Sequence, residues 1–128
     1  MAGKRLPDSI RALIGEAAGE DDEGMYMVAK VIHTRSRQRN LGVDDVVRQP
    51  KQFSAMARPD LDDFILRQPK GTTERAYEAM ARAGQDIGKG WANHYLTRAK
   101  YESPERPSWA NKMKVIDRHG GHVFLSDR

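Results

Sequence analysis

Apolar residues return at helical spacing almost from the start of the chain. Ile10, Leu13, Ile14 and Ala17 fall on one side of a helix. Asp8 or Ser9 can cap its start and Gly19 can end it. A second helix follows. Its acidic opening, Asp21-Asp22-Glu23, and its basic close, Arg35, Arg37 and Arg39, complement the helix dipole at both ends. From Met25 to Ile32 it is apolar except for Tyr26 and Lys30, so it is expected to be the central buried helix.

Gly42 breaks this regime, and Asp44 can cap a short helix bearing Val46 and Val47 that Pro50 terminates. The stretch 49–56 reads as a loop carrying one large aromatic, Phe53. Asp60 can cap another short helix with Leu61, Phe64 and Ile65 turned inward. Beyond Pro69 and Gly71, Thr72 or Thr73 opens a helix with Ala76, Tyr77, Met80 and Ala83 on one side, and Gly84, Gly88 and Gly90 end it. The pattern then changes. Trp91 to Thr97 and His122 to Leu125 are short, β-prone and bounded by glycines, so both read as strands. Between them the chain reads as an irregular loop with one helical turn from Ser108. The fold class is therefore α+β, predominantly helical, with a small β element near the C-terminus.

The chain of 128 residues fits one domain, 1–128, and shows no repeat. A 38% hydrophobic and 31% charged composition belongs to a polar-surfaced globule. No apolar run is long enough to span a bilayer, so no stable membrane insertion is expected. Lys4 and Arg5 are not followed by an apolar stretch, which predicts no signal peptide and synthesis in the cytoplasm. With no cysteine, disulfides, thiol catalysis and cysteine-held zinc drop out. The net charge of +4 is uneven: residues 1–24 are acidic and the rest basic. A basic body suits an anionic partner such as nucleic acid, a membrane surface or a charged wall polymer, or it serves solubility alone.

Charge and periodicity together single out Glu16. On a wheel of about 100° per residue it borders the apolar stripe. Burial and the negative end of the helix dipole both favour a protonated carboxyl at such a place, which suits a general acid. The plain alternative is a boundary glutamate bonded to an arginine. Glu20 follows four residues later. It is either a second carboxylate at glycosidase-like separation or, since Gly19 ends the helix, a structural cap for the next one.

The histidines His33, His94, His119 and His122 form no metal-ligand motif, so neither metal nor cofactor is expected. Nucleophilic-serine, phosphate-loop and dinucleotide patterns are absent. Arg35 to Arg39 could bind phosphate, but they also match a helix C-terminus, and no nucleic acid is expected as a partner. Aromatic residues with polar neighbours, His94-Tyr95 and Trp109-Ala110-Asn111, suit the apolar faces of sugar rings.

These segments resemble the cell wall hydrolase family typified by the catalytic domain of spore-cortex-lytic enzymes. The resemblance runs from about Arg11 to Leu125. It is carried by Ile14-Gly15-Glu16-Ala17-Ala18-Gly19-Glu20 with Gly24 and Val28-Ala29-Lys30-Val31-Ile32, and by the run 46–55. His94-Tyr95, Pro107-Ser108-Trp109-Ala110 and Gly121-His122-Val123-Phe124 complete it. It implies a lysozyme-like fold and cleavage of peptidoglycan glycan strands between N-acetylmuramic acid and N-acetylglucosamine. The implied reaction is lytic transglycosylation without metal, with Glu16 as catalytic acid and base and Glu20 left structural. Gln52, Phe53, Ser54, His94, Tyr95 and Trp109 would line the glycan cleft. A hydrolytic muramidase in which Glu20 or Asp21 supplies a second carboxylate is the alternative. The family usually has arginine where Ala18 stands, asparagine where Thr34 stands and an aromatic where His94 stands. The implied setting is a monomeric phage or prophage endolysin that leaves the host cytoplasm through a holin lesion to act in the cell wall or periplasm. A virion-borne wall-penetrating enzyme is the second option.

Overall fold

Helices occupy the chain as far as residue 86, and a three-stranded sheet closes it. The computed structural model describes residues 5–50, 52–86 and 91–128. The central helix is α2, Asp22–Arg39, after α1 at Asp8–Ala17. Asp21 caps α2 by accepting the Gly24 N–H at 2.7 Å, and Asn40 closes it in the left-handed conformation, φ 54°. Asparagine tolerates that region better than other non-glycine residues, so the helix stops before Gly42. Met25, Val28, Val31 and Ile32 are fully buried on α2, as the pattern predicts. The helix packs against α5 (Thr72–Asp86), α1 and α3 (Val43–Val47). Among the described residues no helix is long and apolar enough to cross a membrane.

Several expected caps are made differently. Neither Asp8 nor Ser9 caps α1 through its side chain. The Ser9 N–H is met instead by Asp44 Oδ1 at 2.8 Å, a residue expected to cap its own helix. Asp8 turns to the guanidinium groups of Arg48 and Arg11, which hold its carboxyl below the usual range. Gly19 does not take a left-handed conformation, and α1 ends through an Ala18 N–H to Ile14 carbonyl bond. Asp60 pairs with Arg58 at 3.0 Å rather than capping α4, Leu61–Leu66. α5 runs past Gly84, with Ala76, Met80 and Ala83 buried but Tyr77 exposed. The expected stops at Gly88 and Gly90 lie outside the described residues.

The sheet has three strands, one more than the pattern predicts. β1 is His94–Thr97, β2 is Lys114–His119 and β3 is His122–Ser126, antiparallel in the order β1-β3-β2. Trp91 to Asn93 precede β1 as irregular chain. The sequence pattern hides β2 because Val115 and Ile116 stand alone among charged residues, and a bulge there breaks the alternation of faces. The Gly120-Gly121 pair was its overlooked signal, since such pairs turn hairpins. Gly120 has φ +54°, in the left-handed region that favours glycine, and a Cβ there would lie 2.7 Å from Glu20 Oε1, so that carboxylate would have to shift. The turn is also tied to the start of α2, where His119 Nε2 lies 2.8 Å from Asp21 Oδ1. That hydrogen bond raises the His119 pKa.

Thr97 ends β1 and caps α6, Arg98–Glu102, by accepting the Lys100 N–H. The expected helical turn at Ser108 is present as a 3-10 turn, Ser108–Lys112. A second 3-10 turn, Ser54–Ala57, interrupts the predicted 49–56 loop and lies against α1.

Candidate functional site

Glu16 stands in the last turn of α1, directly after a glycine that permits close packing. A Cβ on Gly15 would lie 2.5 Å from the Ala55 Cβ and 2.9 Å from Leu61 Cδ1. Because that atom is missing, the 3-10 turn settles on the helix and aims its backbone at the carboxylate. The Ala55 N–H donates to Glu16 Oε2 at 2.8 Å, and the Ser54 hydroxyl reaches the same oxygen at 3.3 Å. From β1, the Tyr95 hydroxyl donates to Oε1 at 2.6 Å. Among the described residues no arginine bonds to Glu16, unlike the plain alternative of a boundary glutamate bonded to an arginine. A carboxylate offers about four lone-pair sites, and Oε1 uses only one of its two. Oε1 is therefore the oxygen with room to carry a proton.

The Tyr95 phenol is pushed well above its ordinary range, first by burial and then by the adjacent Glu16 charge. It stays protonated and remains a donor. Its ring packs among Phe53, Phe124 and His122, with centroids 6.5, 6.1 and 5.3 Å away. The β1–β3 register explains the grouping. Tyr95 pairs with Phe124 and Thr97 with His122, which puts all four side chains on one face of the sheet.

Below the site lies Arg35, only 5% exposed. Its Nε donates to the Asn93 carbonyl at 2.5 Å, and Nη1 lies 3.4 Å from both the Gln52 carbonyl and its side-chain oxygen. Burial pulls its pKa down to about 10, which leaves it charged at neutral pH. It links the entry to β1 with the loop before the 3-10 turn. This corrects both readings of Arg35, as a phosphate ligand and as a cation placed for the helix dipole. The signal was present in the sequence: Arg35 continues the i, i+3, i+4, i+7 stripe of Val28, Val31 and Ile32 and therefore points inward.

Glu16, Gln52, Ser54 and Tyr95 line one open cleft of about 520 Å³. A neighbouring recess of about 300 Å³ shares Arg35, Gln52 and Tyr95 with it and adds His94, Trp109 and Met113. There Trp109 is 41% exposed and its ring lies 5.6 Å from that of His94. Burial and the nearby Arg35 charge lower the His94 pKa, so this platform is neutral. The structure thus unites five of the six residues expected to line a glycan cleft. Phe53 is the exception: it is 3% exposed and belongs to the core. Burying a phenyl ring contributes about 2–3 kcal/mol, against about 1 kcal/mol for a neutral hydrogen bond. Phe53 therefore anchors the loop rather than offering a face to a ligand.

Glu20 does not line the cleft, and Asp21, not Glu20, caps α2. The Glu20 carboxylate faces the Gly120 turn and His122 instead. His122 does line the cleft, a position the sequence reading assigned to no role. Alternation with Phe124 along β3 was the available signal. Among the described residues no three His, Asp or Glu side chains converge as metal ligands.

This arrangement can donate a proton from Glu16 into a groove with an aromatic platform beside it, and take one back. Residues 19–125 match the model of the Cell Wall Hydrolase family. That stretch begins three residues beyond Glu16. Among solved structures, the catalytic domain of the germination-specific lytic transglycosylase SleB from Bacillus anthracis matches with a TM-score of 0.69. It is 26% identical, and the match covers 98% of this chain and 99% of that one. No curated protein matches.

Proposed function

The chain belongs to the cell wall hydrolase family, and we propose that it cleaves peptidoglycan glycan strands between N-acetylmuramic acid and N-acetylglucosamine by lytic transglycosylation. One observation carries this reading: among the described residues lining the cleft, Glu16 is the single acid. Hydrolysis with two carboxylates needs a partner for it within about 5–10 Å across the sugar. Transglycosylation needs none, because the substrate supplies its own nucleophile.

In the proposed reaction, protonated Glu16 gives its proton to the glycosidic oxygen as the bond from C1 of the muramic residue breaks. The resulting carboxylate then takes the proton from that residue's C6 hydroxyl, whose oxygen bonds to C1 and closes a 1,6-anhydro ring. No water is consumed, and Glu16 ends protonated again. Tyr95 and the Ala55 N–H hold the carboxylate in place through both steps. Trp109 and His94 supply an apolar surface for a sugar ring in the adjoining recess.

The products test the reaction. Mass spectrometry of muropeptides released from purified sacculi is expected to show anhydro ends, one water lighter than hydrolysis products. Reducing ends in their place would replace transglycosylation with hydrolysis.

The setting we propose is phage- or prophage-directed host lysis by a monomeric enzyme that is made in the cytoplasm and reaches the wall through a holin lesion. The +4 net charge supports attraction to an anionic wall. Expression in a susceptible host is expected to cause lysis only when a holin is supplied. Lysis without one would remove the need for that route.

A further inference from the structure

His122 lines the cleft yet takes no part in the reaction above. The residue is 8% exposed, and Nδ1 is buried without a hydrogen-bond partner. The nearest charge is Glu20, whose Oε1 lies 3.5 Å from Nδ1, within ion-pair range but not aligned as a hydrogen bond. On its other side the imidazole meets the Tyr95 ring edge to face, with centroids 5.3 Å apart and planes at 82°. Tyr95 in turn donates to Glu16 Oε1 at 2.6 Å. A continuous line of contact therefore joins two glutamates four residues apart, through the sheet rather than along the helix.

Glu20 is well fixed for such a role. Its backbone carbonyl accepts from Arg75 Nη2 at 2.8 Å, and the Gly120 turn closes over its carboxylate. The neighbouring acid, Asp21, is engaged elsewhere, with the Gly24 N–H and with His119. A half-buried carboxylate beside an imidazole sets the orientation of that ring, much as an outer carboxylate orients a histidine in many catalytic sites.

We propose that Glu20 and His122 are positioning residues for Glu16. Glu20 holds the imidazole, the imidazole holds the Tyr95 ring, and the Tyr95 hydroxyl keeps Oε1 of Glu16 aimed for proton transfer. Glu20 then matters to catalysis without touching the substrate. This rests on the muralytic reading above.

The test measures steady-state kinetics on soluble, uncrosslinked glycan strands, well below the melting transition of every variant. Glu20→Ala is expected to lower kcat about tenfold, since small misplacement of a catalytic group carries penalties of that order. KM should stay within about twofold. Glu20→Gln should recover most of the rate, because it keeps a polar side chain of the same length beside the ring. The decisive comparison is in the Tyr95→Phe background, where Glu20→Ala should cost nothing further, because the hydroxyl through which it acts is gone. A purely structural Glu20 would not show that dependence. If Glu20→Ala does not fold, His122→Gln in the same two backgrounds reads the same coupling.

Full kcat in Glu20→Ala, or an undiminished loss in the Tyr95→Phe background, would overturn the proposal. So would a Glu20→Gln variant as inactive as Glu16→Gln, which would make Glu20 a second catalytic carboxylate. A wild-type protein that releases nothing from sacculi defeats the muralytic reading itself. An active wild type with an unimpaired Glu20→Ala variant defeats only the positioning role.

Discussion

Glu16→Gln is expected to lower release of glycan fragments from sacculi on the order of 10³-fold or more, the scale at which a lost general acid and base registers. The fold should survive. Glutamine has the same length, and its amide oxygen can accept from the Tyr95 hydroxyl or from the Ala55 N–H. The carboxylate bonds to these donors are worth about 1.5–3 kcal/mol each, and the helix and sheet that carry them are held by buried apolar residues. Stability should therefore fall by about 1.5–3 kcal/mol with the fold intact. The measurement pairs a sacculus-clearing assay with a thermal melt. A variant that keeps wild-type rates would remove Glu16 from the chemistry.

Gly15→Ala is expected to damage the site from a position that touches no substrate. The added methyl would sit 2.5 Å from the Ala55 Cβ and 2.9 Å from Leu61 Cδ1, so the 3-10 turn must retreat while the Leu61 side chain turns aside. Overpacking of this kind costs about 1–3 kcal/mol. Helix propensity returns up to about 1 kcal/mol, since alanine is the better helix former. The net effect on stability is thus modest, while the effect on rate is large. The retreating segment carries the Ala55 N–H and Ser54, both donors to Glu16. A displacement near 1 Å at a catalytic group can cost about 10²-fold. The expected signature is a fall in rate on that scale with a melting temperature lowered by only a few degrees. Gly19→Ala is the control, because a Cβ there meets nothing within 4 Å.

The helical body was legible because its signals are local. The Met25 to Ile32 run and the opposed charges at its two ends determine α2 without reference to anything distant. Glu16 was legible for the same reason, from its place beside an apolar stripe at a helix end. Its setting was legible only through the family resemblance. Tyr95 approaches from 79 positions away and Ala55 from 39, and no periodicity encodes such meetings. Caps were misread where a distant side chain won the competition, as when Asp44 took the Ser9 N–H and Arg48 took Asp8. β2 was missed because a bulge spoils its alternation. The resemblance places Phe53 in the cleft with its loop, but an aromatic in a polar loop looks the same in sequence whether it points out or in, and this one points into the core.

The separation between Glu16 and Tyr95 bears on when the chain becomes active. During synthesis the N-terminal segment emerges first and can become helical while the rest is still unmade. Glu16 therefore exists early, but the donor on its Oε1 arrives 79 residues later and is held in register only when β3 pairs with β1. Until those strands pair, the Glu16 carboxylate lacks the Tyr95 donor. Contacts so far apart in sequence are among the last to close during folding. The hydrogen bond from Tyr95 to Glu16 is thereby coupled to the pairing of β1 with β3.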